Sequence, residues 1–133
     1  MKQLNVATTA LGAIMVLAGC ATYSSNAVVG NDMSYASLAE QREAALTVKV
    51  YETMPANATV IAPIDAGRCH RSFVETAPNE QLVTIDLKVA AYALGANGIT
   101  NVNVEKKSAL TKNCWYMMNG TATAITVGAR TDD

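Results

Sequence analysis

Twenty residues at the N-terminus set the conditions under which the rest of this chain folds. Met1-Lys2-Gln3 supplies one positive charge, residues 4–17 are uncharged and mostly apolar, and Ala18-Gly19-Cys20 closes the run with small residues. A basic start, a short apolar stretch and small residues at a cut site are the parts of a secretory signal. The run is shorter than the roughly 20 apolar residues of a membrane-spanning helix, and no later stretch reaches that length. Export would place the remaining residues in an oxidising compartment, where paired cysteines become disulfides.

Leu17-Ala18-Gly19-Cys20 resembles the lipobox of bacterial lipoproteins. The resemblance implies a diacylglyceryl group on the Cys20 sulfur, removal of residues 1–19 as the signal peptide, and acylation of the new amine. An ordinary signal cut near Ala18 or Ala21 would instead leave Cys20 a bystander. Two or more acyl chains hold a protein stably where one holds it only reversibly. In Gram-negative lipoproteins an Asp after the lipidated cysteine favours the inner membrane; Ala21 stands there, which by that rule implies the outer membrane. With Cys20 acylated, Cys69 and Cys114 are the one pair left. A disulfide between them would close a loop of about 45 residues, worth roughly 4 kcal/mol by loop-closure entropy. The alternative is a redox-active thiol, for which a Cys-x-x-Cys spacing is missing.

The chain has 133 residues, 50% hydrophobic and 16% charged, with a net charge of −1. That length suits one small domain, and the composition excludes a disordered charged tail. The near-neutral balance leaves no electrostatic footprint for nucleic acid. An aromatic content of 5% is low for stacking on bases or sugars. We read residues 20–45 as a lipidated N-terminus, tether and short helix, and residues 46–133 as an α+β domain. Residues 21–33 are small and polar, lack proline, and would reach at most about 45 Å when extended. The domain would then stay close to its membrane surface, on the periplasmic side.

Within residues 34–45, Ser37 with Glu40 suits a capping box, and Tyr35, Leu38, Ala39 and Arg42 share a helical face. Residues 46–52 alternate as a strand. A second strand follows over residues 59–67, where Pro63 restricts its end to an edge or a bulge. The strongest helical pattern runs over residues 78–94, with Thr76 or Ala77 at the cap and Gly95 at the stop. Its stripe is Leu82, Ile85, Val89 and Ala93, widened by Leu87, Ala90 and Leu94. Residues 99–104 form a strand, residues 105–113 a polar loop, and residues 114–127 a final strand with Gly120 as a bulge. The order β-β-α-β-β predicts a mostly antiparallel sheet of about four strands with the main helix on one face.

The chemistry-bearing residues are few. His70 beside Cys69 suggests a ligand pair, but structural zinc takes four such ligands and catalytic zinc usually three, so His70 reads as a surface loop histidine. No metal or cofactor is expected beyond the lipid on Cys20. Nucleophile elbows, zinc-binding helices and phosphate loops are missing. Asp65, Glu75 and Glu80 are the acids available for proton transfer, and exposed loop acids explain them equally well. The expectation is a protein that is not an enzyme, with a periplasmic enzyme as the remote alternative. Arg68, Arg71, Lys106, Lys107 and Lys112 flank the two cysteines. A bridge would gather them into a basic patch facing lipid head groups or an acidic partner; a solvated rim is the plainer reading.

Val48-Lys49-Val50-Tyr51, Asp65-Ala66-Gly67-Arg68-Cys69, Leu94-Gly95-Ala96-Asn97-Gly98-Ile99, and Cys114-Trp115 with Gly120-Thr121-Ala122 together resemble the Rcs envelope-stress sensor lipoproteins, the RcsF-like family. They span roughly residues 48–125. The resemblance implies an outer-membrane lipoprotein with a compact disulfide-bonded domain. It would report surface damage to an inner-membrane phosphorelay through periplasmic contacts, with outer-membrane barrel proteins among its partners. Two departures stand out: one disulfide in place of two, and a short tether without proline in place of a long, basic, proline-rich one. A structural or assembly-accessory lipoprotein of the same fold is the alternative.

Overall fold

The computed structural model describes residues 33–128. A turn of 3-10 helix at Met33–Tyr35 leads into α1, Leu38–Thr47. Strands β1 (Lys49–Tyr51) and β2 (Ala58–His70) follow, then helix α2 (Glu80–Ala93), strand β3 (Gly98–Ser108), a second 3-10 turn at Leu110–Lys112, and strand β4 (Tyr116–Val127). The four strands form one mixed sheet in the order β1-β3-β4-β2. β4 is antiparallel to both neighbours, while the short β1 runs parallel to β3.

Local chemistry explains the helix ends. At α1 the Ser37 hydroxyl accepts the Glu40 N–H, and the Glu40 carboxylate accepts the Ser37 N–H at 2.7 Å, a reciprocal capping box. The Ser37 hydroxyl, and after it the Ser37 N–H, hold the Glu40 carboxyl below its ordinary pKa. The cap of α2 is Asn79, whose side chain accepts the Leu82 N–H at 2.9 Å, and not Thr76 or Ala77. Pro78 therefore precedes the cap, where its restriction of the preceding backbone still bars the helix from starting earlier. At the other end Gly95 takes φ +79°, with Gly95 N–H on the Tyr92 carbonyl and Ala96 N–H on the Ala91 carbonyl. That pair of bonds needs a left-handed residue, and glycine adopts it without a Cβ penalty.

The buried face of α2 is rotated from the expected stripe. Val83, Asp86, Leu87, Val89 and Ala91 are buried, whereas Leu82 and Ile85 are half-buried and Ala93 and Leu94 exposed. The sheet meets this face with Ile64 and Ala66 of β2, Ile99 of β3, and Ala122 and Ala124 of β4. Burying a Leu or Val side chain fully is worth about 1.5–3 kcal/mol. Gly120 is no bulge, since it pairs with Ala66 on one side and Val104 on the other. Its bareness admits α2: a Cβ there would lie 2.5 Å from Val83 Cγ1 and 3.1 Å from Leu87 Cδ1. The register shifts fall elsewhere, between Val60 and Ala62 in β2 and between Thr100 and Asn103 in β3, where Asn101 takes φ 53°. β2 is an edge strand, and Pro63 sits in it as proline can.

α1 belongs to the folded unit and does not merely extend a tether. Ala36, Ala44 and Val48 join the core, and Lys88 Nζ donates to the Ala45 carbonyl at 3.1 Å. The expected face was Tyr35, Leu38, Ala39 and Arg42, and all four are exposed. The helix packs instead through alanines, whose small side chains let it lie close to α2.

Candidate functional site: the disulfide-tied end of the sheet

Cys69 near the end of β2 and Cys114 just before β4 are joined, with Cα atoms 5.6 Å apart. Both are buried, and with Ala109 and Met117 they form a second small core. This cluster lies on the sheet face opposite α2, because residues alternate across a strand. Ile64, Ala66 and Arg68 of β2 face the helix, while Asp65, Gly67 and Cys69 face away. The bridge ties two loops to the same end of the sheet, residues 71–79 before α2 and residues 109–115 before β4.

The five basic residues do not form one surface. Arg68 turns toward α2 and grips Asp86 through Nε at 2.6 Å and Nη2 at 2.8 Å. The Asp86 side chain is only 2% exposed and that of Arg68 15%, so this bidentate pair is an internal strut. Lys106 and Lys107 are neighbours in β3 and therefore point to opposite faces. Lys106 lies over the Tyr116 ring, its ammonium 3.9 Å from the centroid. Lys107 pairs with Glu105 at 2.8 Å on the open face. Lys112 shares that open face, where it lines a cleft of about 310 Å³ with Asp65, Lys107, Met117 and Asn119. Arg71 donates its backbone N–H to the Glu75 carboxylate. The Lys107 bond, then Asn103 donating at 3.1 Å, hold the Glu105 carboxyl below its ordinary pKa.

His70 is not a loop histidine. It is the last residue of β2, 7% exposed, with its carbonyl accepting the Trp115 N–H at 2.8 Å. Its ring lies edge-on to Trp115 at 5.5 Å and beside Tyr116 at 4.9 Å. Phe73 stacks on the far side of Trp115, 6.2 Å between centroids. An aromatic row thus runs Phe73, Trp115, His70, Tyr116 and ends under Lys106. Sequence reading missed this row. The available signal was the spacing of Cys69-His70 and Cys114-Trp115-Tyr116, which any bridge between the cysteines must bring side by side.

Asp65, Glu75 and Glu80 stand on three different elements: β2, the loop after it, and the first turn of α2. Among the described residues no group of three or more His, Cys, Asp and Glu side chains is placed to hold a metal ion. Among them, too, no helix is long and apolar enough to cross a membrane. Cys20 and the signal-like segment lie outside the described residues. No family model matches the chain, and no curated protein matches it.

Proposed function

We propose that the chain is an outer-membrane lipoprotein, held by acyl chains on Cys20, which reports envelope stress through protein contacts in the manner of the RcsF-like sensors. The observation that carries this is the division of the three cysteines. Cys20 sits at the end of a lipobox-like Leu17-Ala18-Gly19-Cys20, and the other two are consumed by one bridge. That usage suits export to an oxidising compartment and leaves no thiol for chemistry. The domain then works as a rigid body presented to partners. An intact-mass measurement on protein from membranes tests the anchor: the expected N-terminus is acylated Cys20, and a free amine ahead of residue 20 overturns it. Deleting the gene and following an envelope-stress reporter tests the signalling role. The expected result is a lost response to outer-membrane damage, and an unchanged response removes the sensor reading.

The second reading is a structural or assembly-accessory lipoprotein. The proline-free stretch of residues 21–32 favours it, because a coil that short carries the domain only about 40 Å from its anchor even when fully extended.

A further inference from the structure

The most exposed apolar side chains at the disulfide-tied end are held in place by hydrogen bonds. Phe73 and Val74 are 83% and 80% exposed. They occupy the centre of a turn in which the Glu75 N–H donates to the Ser72 carbonyl, the Val74 N–H donates to the Ser72 hydroxyl, and the Arg71 N–H donates to the Glu75 carboxylate. Such a closed turn fixes the backbone from which both side chains project. Trp115 itself is 48% exposed and supports Phe73 by stacking. Leu110, 72% exposed, crowns the neighbouring loop, which the bridge ties to the same end. Phe73, Val74 and Trp115, with Leu110 on the loop the bridge ties to the same end, make up an exposed apolar prow. Isolated surface hydrophobes need no explanation, but a gathered and hydrogen-bonded set marks a contact surface.

We infer that this prow is a membrane-contact tip that seats in the interfacial layer of an anionic lipid surface. Cations stand at this end to meet its phosphates. Lys106, over the Tyr116 ring, and Lys112, before β4, are both exposed there; the acids of the same end are Glu75, held on the Arg71 N–H, and Glu80 in the first turn of α2. Trp sits at the headgroup level of bilayers with Phe and Leu buried just beneath it, and cations beside them meet lipid phosphates. The chain outside the described residues argues the same way. With the anchor at Cys20, twelve residues separate the lipid from Met33, so the domain is confined near a bilayer and a weak interfacial contact acts at high effective concentration. The choice of occupant therefore rests on the lipoprotein reading.

Trp115 is the sole tryptophan, so its fluorescence reports on the tip alone. The full acylated chain is reconstituted into vesicles of phosphatidylcholine, or of phosphatidylcholine with phosphatidylglycerol, each with and without brominated acyl chains. The expected result is a blue-shifted Trp115 emission quenched by bromine in the anionic vesicles and relieved by salt. Phe73→Ser with Val74→Ser, both on nearly fully exposed sites, is expected to cut the quenched fraction about tenfold. Unquenched Trp115 in both vesicle types, with the protein still vesicle-bound, overturns the tip and leaves the anchor standing; the prow then faces a protein. A chain with unmodified Cys20 that is still quenched by anionic vesicles supports the tip while the anchor reading fails.

Discussion

The two ends of the sheet are built by different means. Under α2 the sheet closes on a broad apolar cluster that includes Val83, Leu87, Ile99 and Ala124, all fully buried. At the other end the buried set is Cys69, Ala109, Cys114 and Met117. The reason is length. A helix of 14 residues is about 21 Å long, whereas a strand of 13 residues spans about 43 Å. The sheet outruns its helix, and past it the covalent bridge, buried on the opposite face, ties the strand ends. The Arg68–Asp86 strut stands at the junction. A small domain lacks the core to hold an overhanging end by apolar contacts alone, and the overhang is where both the bridge and the exposed prow are found.

The largest expected effect falls at that junction. Asp86→Ala leaves the Arg68 guanidinium buried without its anion, and removing one partner of a buried pair costs about 3–5 kcal/mol. Urea denaturation of the variant is expected to show that loss, with Arg68→Met/Asp86→Leu recovering most of it. A single-variant loss below about 1 kcal/mol would mean that the strut is solvated and the two ends are independent.

Breaking the bridge tests the overhang itself. Cys69→Ala with Cys114→Ala is expected to lower stability by about 2–4 kcal/mol. Hydrogen exchange should quicken first in residues 67–70 and 114–118, while amides of α2 stay protected. Uniform quickening would show that the bridge supports the whole domain and not one end. Under α2 the comparable test is Gly120→Ala, which places a methyl against Val83 and Leu87 and is expected to cost about 1–3 kcal/mol by overpacking. Pairing it with Val83→Ala, which removes the atom nearest the new methyl, should relieve the clash, a non-additive result that a mere backbone effect would not give.

The helix-covered half was the more legible in the sequence. Gly95 and Pro78 bracket α2, and Ser37 with Glu40 announces α1, because capping is a local matter of hydrogen-bond geometry. The rotation of α2 was not legible, since Leu82 and Ile85 are as apolar as Val83 and Leu87. Only Asp86 in the middle of the true face marks the difference, and it reads as a defect until Arg68 is known to face it. The overhanging half was harder. Lys106-Lys107 looked like the start of a polar loop, yet β3 runs on to Ser108 because β4 pairs with it throughout. The same adjacency made two opposite faces look like one basic patch, an error that follows from reading neighbours as co-facial where strand side chains alternate. The pairing of Cys69 with Cys114 was legible once the lipobox resemblance set Cys20 aside; the aromatic row that it assembles depends on long-range register.

The smallest expected effect distinguishes the open face from the buried strut. Glu105 and Lys107 lie two apart on one strand face, with side chains 49% and 60% exposed, so their attraction is screened by water and salt. The Glu105 carboxyl is nevertheless held below its ordinary pKa, mainly by the Lys107 bond and then by Asn103. A carboxylate depressed in the folded state adds stability above its unfolded pKa and loses it as pH falls through the folded value. The contribution should therefore be present at neutral pH and fade only in the acid range, below the ordinary carboxylate value. An NMR titration is expected to show the Glu105 midpoint rising in Lys107→Gln, and rising less when Asn103→Ala is made instead. The two variants should move the acid limb of the stability curve only slightly, and raised ionic strength should shrink the Lys107 effect first. If salt leaves that midpoint unmoved, the pair is shielded as the Arg68–Asp86 strut is, and the open face is covered by something in solution.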